Sequence, residues 1–591
     1  MVMRWNLDKL YTSFESKEFQ SDLGKLDEQI IEFNNWANEN LLSLDNPAKK
    51  IEDFIKFSAE ISTILTKLRS YASLTSSVDA KNESASKYKD ILSVKASEMT
   101  KPNVMFQSFM KNIHNLDELV ETSESLNEHK FYLNQIKEKS KYMLSEQEEI
   151  LVSKMSNSGS TAWSNLQNKI SSTLLVDITL DGERKQLPLP VVRNLAYDKD
   201  SDIRHTAYEA EQAAYMKIEE SSAAALNGIK GEVITTCQLR GYKSPLDETF
   251  IMSRMDEETL NAMLTAIREF LPVFHKYYRK KAEILGYKNG LPFYEMFAPV
   301  GKVNRTFTYE EAMEYVVDNF RTFSDRLADF AQNAYENNWL DVEPRDGKRG
   351  GAFCSNLHPI KESRIMANFN GSFSNMITLA HELGHGYHGL NLRDESILNS
   401  RYPMPIAETA SIFCETIVVN AALKEANEEE AFEILESSIS DAGQVIVDIL
   451  SRFLFESEVF ERRKTHSLSV NELKEIMMNS QKEAYGDGLD HDILHPYMWV
   501  NKPHYYNAEL SYYNFPYAFG LLFSKGLYAK YLNEGKEFVT KYDELLSATG
   551  KNNIRDVALR MGIDVHDPEF FRSSLRLIEQ DIEKFMELAD R

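Results

Sequence analysis

Apolar residues recur at intervals of three and four positions through most of this chain. Near the start, Leu26, Ile30 and Phe33 follow this spacing, which places them on one face of an amphipathic helix. Segments of the same kind fill the first 170 residues, where glycine and proline are sparse, and they return after residue 202. The pattern predicts a mostly α-helical protein.

A tight turn interrupts the helical pattern between residues 174 and 189. Asp181 and Gly182 separate LLVDITL from ERKQLPL, and both residue types suit the left-handed positions of a two-residue hairpin turn. We therefore predict a β-hairpin here and place a boundary directly after it. The boundary divides the chain into an N-terminal helical lobe, residues 1–190, and a larger helical domain, residues 191–591.

Two further extended segments are predicted at Gly351–Leu357 and Ser363–Phe369. The glycine-rich stretch DGKRGGAFCSNL and the following ESRIMANFNG replace the helical spacing in this part of the chain. Both segments directly precede the helix that carries the candidate chemistry. We therefore expect a small β-sheet beside that helix.

The composition limits the classes of partner. The chain has 591 residues and a net charge of −24, from 67 basic and 91 acidic residues, so it lacks the basic footprint of a nucleic-acid-binding protein. Its three cysteines, Cys237, Cys354 and Cys414, form no CxxC pair, which fits a reducing compartment. The first residues contain no apolar signal region, and no run of about 18 apolar residues occurs. These features predict a cytoplasmic protein with no membrane partner.

One helical segment contains the pattern HExxH, formed by His381, Glu382 and His385. Residues four positions apart lie on one face of a helix, so both imidazoles can reach a single ion. Zinc accepts neutral imidazole nitrogen, and a catalytic zinc site keeps one position open for water. The glutamate inside the motif lies where it can take a proton from that water. We therefore predict one zinc ion as cofactor and Glu382 as the general base.

The third ligand should be one of the acidic residues that follow the motif: Asp394, Glu395, Glu408 and Glu415. The first two fall in the polar stretch NLRDES, which is typical of solvated loop charges. Glu408 opens the apolar helical run AETASIFCETIVVNAAL, and Glu415 lies two turns further along the same face. Carboxylates on an otherwise apolar helix are costly to bury without partners. We assign Glu408 as the ligand and Glu415 as an acceptor that orients a ligating histidine, with an exposed helix charge as the alternative for Glu415.

The combination of HELGH with the glutamate of AETASIFCE, 23 residues after His385, resembles the thimet-oligopeptidase-like zinc metallopeptidases, and within them the oligoendopeptidase F group. The resemblance covers most of the chain and is clearest from the hairpin to the C-terminus. It implies that His381, His385 and Glu408 hold the zinc and that Glu382 is the catalytic base. It also implies a two-lobed helical clam with a deep substrate channel, in which zinc-activated water cuts internal bonds of short peptides.

The resemblance also points to a C-terminal segment from His504 to Gly520 that is rich in aromatic residues. The family uses a histidine and tyrosines there to contact the substrate and its oxyanion, which implies His504 and Tyr517 as catalytic residues and Tyr513 as a substrate-binding residue. A tyrosine hydroxyl can donate to a developing oxyanion without adding charge. Pro516 interrupts the helical spacing, so the sequence does not decide whether Tyr513 and Tyr517 lie on the same face of a helix. The alternative for each tyrosine is a core position with a hydrated hydroxyl.

Two other features have weaker functional interpretations. His491 and His495 lie among three aspartates in DGLDHDILHP, a stretch without helical spacing that we interpret as a surface loop rather than a second metal site. The predicted strand at Ser363–Phe369 is expected to pair with the backbone of a bound peptide.

Two alternative functions remain open at this stage. A catalytically silent scaffold that binds peptides would not need Glu382 between the two histidines. A zinc hydrolase acting on another amide, or an exopeptidase, would need a different substrate site, and the sequence does not single out the charged clamp that an exopeptidase uses for a chain terminus. The sequence defines neither the oligomeric state nor the preference for side chains at the cleaved bond.

Overall fold

The computed structural model describes residues 3–301 and 306–591, and these residues form a mostly α-helical protein with two small β-sheets. The predicted fold class, mostly α with a small sheet beside the HExxH helix, is confirmed. The helices are α1 (Lys17–Asn40), α2 (Pro47–Val78), α3 (Glu83–Ser97), α4 (Thr100–Lys111), α5 (Leu116–Val120), α6 (Glu124–Glu128), α7 (Lys130–Ser140), α8 (Glu146–Ser158), α9 (Ser160–Ser172), α10 (Leu189–Asn194), α11 (Ser201–Tyr215), α12 (Glu219–Arg240), α13 (Pro245–Ser253), α14 (Glu257–Leu285), α15 (Tyr309–Phe323), α16 (Asp325–Glu336), α17 (Phe373–Leu392), α18 (Thr409–Glu425), α19 (Glu428–Gly443), α20 (Ile449–Arg463), α21 (Val470–Tyr485), α22 (Phe515–Glu534), α23 (Lys536–Ala548), α24 (Ile554–Leu559) and α25 (Pro568–Ala589). The strands are β1 (Leu175–Leu180), β2 (Glu183–Pro188), β3 (Leu340–Asp341), β4 (Phe353–Leu357) and β5 (Glu362–Met366).

The predicted hairpin is confirmed as the antiparallel pair β1 and β2. Leu180 pairs with Glu183 across the turn, so Asp181 and Gly182 are its two central residues. Their φ angles of 54° and 78° lie in the left-handed region that a two-residue hairpin turn requires. The Asp-Gly signal therefore identified the turn correctly.

The second sheet has the strand order β3-β5-β4, with β3 parallel and β4 antiparallel to β5. Helix α17, which carries HExxH, packs against both β4 and β5. The sheet therefore lies beside this helix, as the sequence predicts. The expectation that the strand at 363–369 pairs with a substrate is wrong, because β5 is the middle strand and both of its edges are already paired within the sheet.

Two compact units are built from interleaved parts of the chain. Unit 1 consists of residues 1–143, 304–422 and 530–563. Its N-terminal helices pack around a core that includes Phe19 and Phe33, both fully buried. The HExxH helix, the three-stranded sheet and most of α18 belong to the same unit.

Unit 2 consists of residues 144–303, 423–529 and 564–591. Its core includes Trp499 and Tyr506, which are almost completely buried beneath the hairpin and the helices α11 and α12. Helix α14 packs against α25, and α20 packs against α21. The aromatic segment around residues 504–517 belongs to this unit.

The two compact units do not coincide with the two domains, 1–190 and 191–591, that the sequence predicts. Helices α8 and α9 and the hairpin pack with later parts of the chain in unit 2, and one such link joins Ser160 to Glu232. Long-range packing of this kind leaves no signal in local composition. The helical segment expected after residue 202 is also divided, since α11 ends at Tyr215 and α12 begins at Glu219.

One segment, Met404–Glu425, is long and apolar enough by length and composition to cross a membrane. This segment contains α18, and 56% of its apolar window is buried inside the protein. It also carries both acidic residues that the sequence assigns to the metal site. A single buried helix of this kind is ordinary in a protein core, so it gives weak evidence for a membrane span.

Candidate active site

Helix α17 positions three of the predicted site residues. It begins where the Ser372 side chain accepts a hydrogen bond from the backbone N–H of Asn375, a cap that satisfies an otherwise free donor. Met376, Leu379 and Leu383 are completely buried and fix the rotation of the helix against its surroundings. The face that carries HExxH is thereby held in one orientation.

The second helix of the site, α18, approaches α17 very closely at Gly384. A β-carbon on this glycine would lie 2.5 Å from the backbone oxygen of Ala410 and 2.6 Å from the α-carbon of Ser411. No side chain fits into that space. The glycine inside HELGH therefore allows the backbone contact that brings Glu408 beside the histidines, a role that sequence analysis did not assign.

His381, His385 and Glu408 converge on one point in unit 1. The Nε2 atoms of the two histidines lie 3.1 Å apart, and Oε2 of Glu408 lies 3.3 Å from one and 3.4 Å from the other. Ligands about 2.0–2.1 Å from a tetrahedral zinc ion lie about 3.3 Å from one another. The two imidazoles and one carboxylate are also a donor set that zinc accepts, so the residues present fit a zinc ion.

The carboxylate of Glu408 is held in its charged form. Burial raises its pKa, but the hydrogen bond and charge of His385, the charge of His381 and a hydrogen bond from Ser411 together lower it to about 2. The Ser411 hydroxyl donates to Oε2 at 2.8 Å. Ser411 was not recognised in the sequence, although it lies only three residues after Glu408, where a helical side chain can reach back.

Glu415 contacts His381, as the sequence predicts. Its Oε1 accepts a hydrogen bond of 2.7 Å from Nδ1 of His381, which leaves Nε2 directed at the convergence point. Burial lowers the pKa of His381, but the hydrogen bond and charge of Glu415, with the charges of Glu408 and Glu382, outweigh it and raise the pKa to about 9. Glu415 is therefore not an isolated surface charge, which was the alternative interpretation of this residue.

Glu382 is buried, with only 5% of its surface exposed. Among the described residues, its Oε2 atom has no hydrogen-bond partner. Burial raises the pKa of this carboxyl, while the neighbouring His381 and His385 lower it in part. A buried carboxylate with an unpaired oxygen and a raised pKa is suited to accepting a proton.

The other acidic candidates pair elsewhere in unit 1. Asp394 binds Lys361 at 2.6 Å, and Glu395 binds Lys551 at 2.5 Å. Both belong to the polar stretch that the sequence analysis interpreted as loop charges. Neither belongs to a group of side chains whose ligand atoms converge within the described part of the chain.

Strand β4 supports the far end of the motif. Asn356 donates a hydrogen bond of 3.1 Å from its side-chain nitrogen to the backbone oxygen of His385, and it accepts one of 2.7 Å from Ser363. These contacts tie α17 to the sheet at His385. Sequence analysis missed Asn356, because an asparagine in a strand carries no distinguishing signal.

The aromatic segment forms a separate cluster in unit 2. The ring of His504 lies 5.0 Å from that of Tyr513, which in turn meets Tyr517 edge-on at 5.7 Å. Pro516 is the second residue of α22, a position where the missing N–H is tolerated, and Tyr513 precedes the helix. The two tyrosines therefore do not share a helix face, but the three side chains predicted for substrate contact are neighbours.

His491 and His495 lie in different environments. A ring nitrogen of His491 lies 2.8 Å from the backbone oxygen of Gly486, and this histidine is exposed. His495 is buried at 2% exposure, where Nε2 lies 3.7 Å from Glu211. The interpretation of His491 as a loop residue agrees with this environment, whereas the burial of His495 was not expected.

Comparison with known proteins identifies the family. Residues 194–577 match the model for peptidase family M3, and residues 113–174 match the model described as Oligopeptidase F. The first match spans more than half of the chain. The chain therefore belongs to peptidase family M3, and the predicted resemblance is confirmed.

Two curated relatives align with almost the whole chain at low identity. Oligopeptidase PepF of Bacillus subtilis is 24% identical over 99% of this chain and 87% of its own length. The oligoendopeptidase F homolog of Lactococcus lactis is also 24% identical, over 100% of this chain and 98% of its own.

Solved structures share the fold over almost the full length. A protein from Chlamydophila abortus superposes with a TM-score of 0.86 at 20% identity, covering 99% of this chain and 98% of its own. Oligoendopeptidase F from Enterococcus faecium gives a TM-score of 0.71 at 19% identity, covering 96% and 100%. Family and fold together establish the protein as a peptidase with the architecture of the oligoendopeptidases.

Proposed function

We propose that this protein is a zinc-dependent metalloendopeptidase that hydrolyses internal bonds of short oligopeptides. The observation that carries the proposal is the convergence of His381, His385 and Glu408, whose ligand atoms lie 3.1–3.4 Å apart. Membership in peptidase family M3 supplies the reaction class. The names of the relatives, oligopeptidase and oligoendopeptidase, support short peptides as substrates and internal cleavage.

The side chains of the site have distinct roles in this reaction. His381, His385 and Glu408 would hold one zinc ion, and Glu415 keeps Nε2 of His381 directed at it. When bound, the ion supplies a Lewis acid that polarises a carbonyl group and makes water more acidic. Glu382, with its unpaired oxygen, takes a proton from the attacking water and returns it to the leaving amine.

The aromatic cluster is the proposed source of hydrogen bonds to the substrate. A donor directed at the carbonyl oxygen stabilises the charge that develops there during attack. We assign this role to Tyr517 and His504, and substrate contact to Tyr513, from the resemblance to the family. Burial and the charges of Arg452 and Lys502 lower the pKa of His504, which favours a neutral imidazole near neutral pH.

Strand β4 is the proposed partner of the peptide backbone. It forms the outer edge of the sheet opposite β3, and it is joined to α17 through Asn356. An exposed strand edge can bind an extended peptide by main-chain hydrogen bonds, which depend little on side-chain identity. This role replaces the one expected for the segment at 363–369, whose strand lies in the middle of the sheet.

The proposal is tested by cleavage of an internally quenched peptide of about ten residues, with products identified by mass spectrometry. We expect internal cleavage by the wild type, inhibition by a chelator and restoration by zinc. Glu382→Gln should keep its zinc and lose about 10²–10⁴-fold in kcat, because the general base is removed while the ligands remain. Release of terminal residues alone would replace the endopeptidase assignment with an exopeptidase.

A cytoplasmic location and the absence of nucleic-acid and membrane partners remain proposals from the sequence. They are supported by the acidic composition and by the three cysteines, which are free in the structure.

A further inference from the structure

Unit 2 contains a cavity of about 330 Å³ that the proposed reaction does not use. Its walls come from the segment 190–211, from residues 293–297 and from the segment 444–502. Both aromatic and charged side chains contribute to the lining. Its volume lies at the lower end of the range for small-molecule sites, which is about 300–1,000 Å³.

The two acidic residues in the lining already have basic partners. Asp448 forms an ion pair with Arg452, and Oε1 of Glu211 lies 3.4 Å from Nε of Arg193. Glu211 also accepts a hydrogen bond of 2.7 Å from Tyr215. The negative charges of the cavity are therefore compensated from within the protein.

Lys502 is the basic residue of the lining that has no carboxylate partner in the described part of the chain. It lines the cavity and has no hydrogen-bond or ion-pair partner among the residues that the structure describes. Burial, and then the positive charge of Arg452, lower its pKa to about 7. Because Lys502 is only partly buried, an anion that enters the cavity from solvent can pair with its ammonium group.

Arg452 adds a second donor to the same cavity. One of its terminal nitrogens binds Asp448, but Nε is buried and has no hydrogen-bond partner in the described part of the chain. A ring nitrogen of His495 in the lining is also buried without a partner in that part of the chain, as is the amide oxygen of Asn501, which accepts hydrogen bonds and so is not a donor for an anion. Buried donors without partners are few in native proteins, so the unpaired Nε of Arg452 calls for an acceptor.

The backbone of one wall is irregular. Residues 444–448 form a π-helical turn between α19 and α20, and both Gln444 and Asp448 line the cavity. Single π-helical turns within α-helices occur frequently at functional sites. The turn lies four residues before Arg452, the cation that pairs with Asp448.

We propose that this cavity binds the carboxylate of a small molecule, with Lys502 and Arg452 as its donors. The remaining cation of the lining, Arg204, is paired with Glu295, so Lys502 is the one surplus cation. It matches a single negative charge, whereas a doubly charged phosphate would exceed it. The aromatic side chains of the lining, among them Tyr208 and Phe293, accept the apolar part of such a ligand. Charge-assisted hydrogen bonds to a carboxylate would satisfy the buried Nε of Arg452 and pair the ammonium group of Lys502.

Calorimetric titration with benzoylglycine tests the proposal, because this compound joins one carboxylate to one aromatic ring. Its amide, benzoylglycinamide, is the neutral counterpart and should bind at least about tenfold more weakly, since it lacks the charge-assisted bond. Lys502→Met should weaken benzoylglycine binding to the same extent. Lys482→Met removes an equal charge from an exposed position in unit 2 and should leave binding unchanged.

Three results would overturn the assignment. The first is equal affinity of wild type and Lys502→Met, with both proteins shown to be folded by thermal denaturation. The second is equal affinity for the acid and the amide, and the third concerns the metal centre. His381→Ala is included because a bound metal can itself hold a carboxylate, and benzoylglycine binding that disappears in this variant would belong to the metal centre.

Peptide kinetics then identify the source of the carboxylate, and only this step depends on the proposed peptidase function. If the carboxylate belongs to the substrate, Lys502→Met raises KM for peptides with a free C-terminus or an acidic side chain, and not for neutral amidated peptides. If it belongs to a separate small molecule, benzoylglycine changes turnover without competing with the peptide. Calorimetry requires no turnover, so failure of the cavity assignment and failure of the peptidase assignment are distinguishable.

Discussion

The candidate metal centre in unit 1 and the cavity in unit 2 both gather charged side chains inside a compact unit, but their charges are balanced in opposite ways. At the metal centre, two imidazoles and the Glu408 carboxylate direct lone pairs at one point. In the cavity, both carboxylates are already paired and the Lys502 ammonium is left over. The first arrangement calls for a cation and the second for an anion. The sign of the uncompensated charge is therefore a more direct guide to a ligand than the size of a pocket.

The largest expected effect is loss of the metal. His385→Ala removes one of three converging ligands and should lower zinc affinity by more than the roughly 10–100-fold that loss of an outer partner costs. Zinc content after dialysis, measured by atomic emission, checks this. His491→Ala is the matched control, because that histidine is exposed and lies outside the site. Full zinc content in His385→Ala would contradict the ligand assignment.

The next effect concerns the aromatic cluster. Tyr517→Phe removes only a hydroxyl, and loss of one donor to a developing oxyanion lowers kcat by about 10²–10³-fold. The peptide assay described above measures kcat and KM separately. Tyr512→Phe serves as the control, because the Tyr512 ring stacks on Phe460 at 5.5 Å inside unit 2. An unchanged kcat in Tyr517→Phe would mean that the Tyr517 hydroxyl takes no part in catalysis and that the side chain only packs.

The third prediction concerns the orientation of His381. Since the hydrogen bond and charge of Glu415 raise the pKa of His381, Glu415→Gln should lower that pKa from about 9 in the metal-free protein. Titration of the histidine ring signals by NMR measures the shift. At a pH well above the pKa of His381, zinc affinity should fall about 10–100-fold. An unchanged pKa would mean that Glu415 does not interact with His381 in solution.

The smallest effect is expected from backbone packing. Gly384→Ala places a methyl group 2.5 Å from the Ala410 backbone oxygen, so α17 and α18 must separate. Overpacking of this kind lowers the free energy of unfolding by about 1–3 kcal/mol. Gly24→Ala is the control, because a β-carbon there meets no atom within 4 Å. Chemical denaturation checks both variants, and equal stability would show that the helices can adjust without strain.

The sequence predicted the parts of the site that depend on local geometry. HExxH places two histidines one helical turn apart, and the apolar character of α18 made Glu408 and Glu415 the acids that need a partner. Asn356 and the close approach at Gly384 could not be predicted, because both depend on which segments pack together. The expected role of the strand at 363–369 failed for the same reason, since strand order within a sheet is not encoded in the strand itself.

The domain boundary shows the same limit at a larger scale. The hairpin before residue 190 was recognised from Asp181 and Gly182, whose conformational preference is local. The partners of that hairpin come from residues far along the chain, and composition does not reveal them. Local chemistry thus predicted the helical class, the hairpin and a set of candidate ligands, whereas tertiary packing decided the compact units.

X-ray absorption at the zinc edge of the purified protein tests the central claim most directly. We predict a single zinc per chain with nitrogen and oxygen ligands at about 2.0–2.1 Å, including two imidazoles, and loss of that spectrum in His385→Ala. A spectrum dominated by sulfur at about 2.3 Å, or an unaltered spectrum in His385→Ala, would place the metal elsewhere and contradict the assignment of His381, His385 and Glu408.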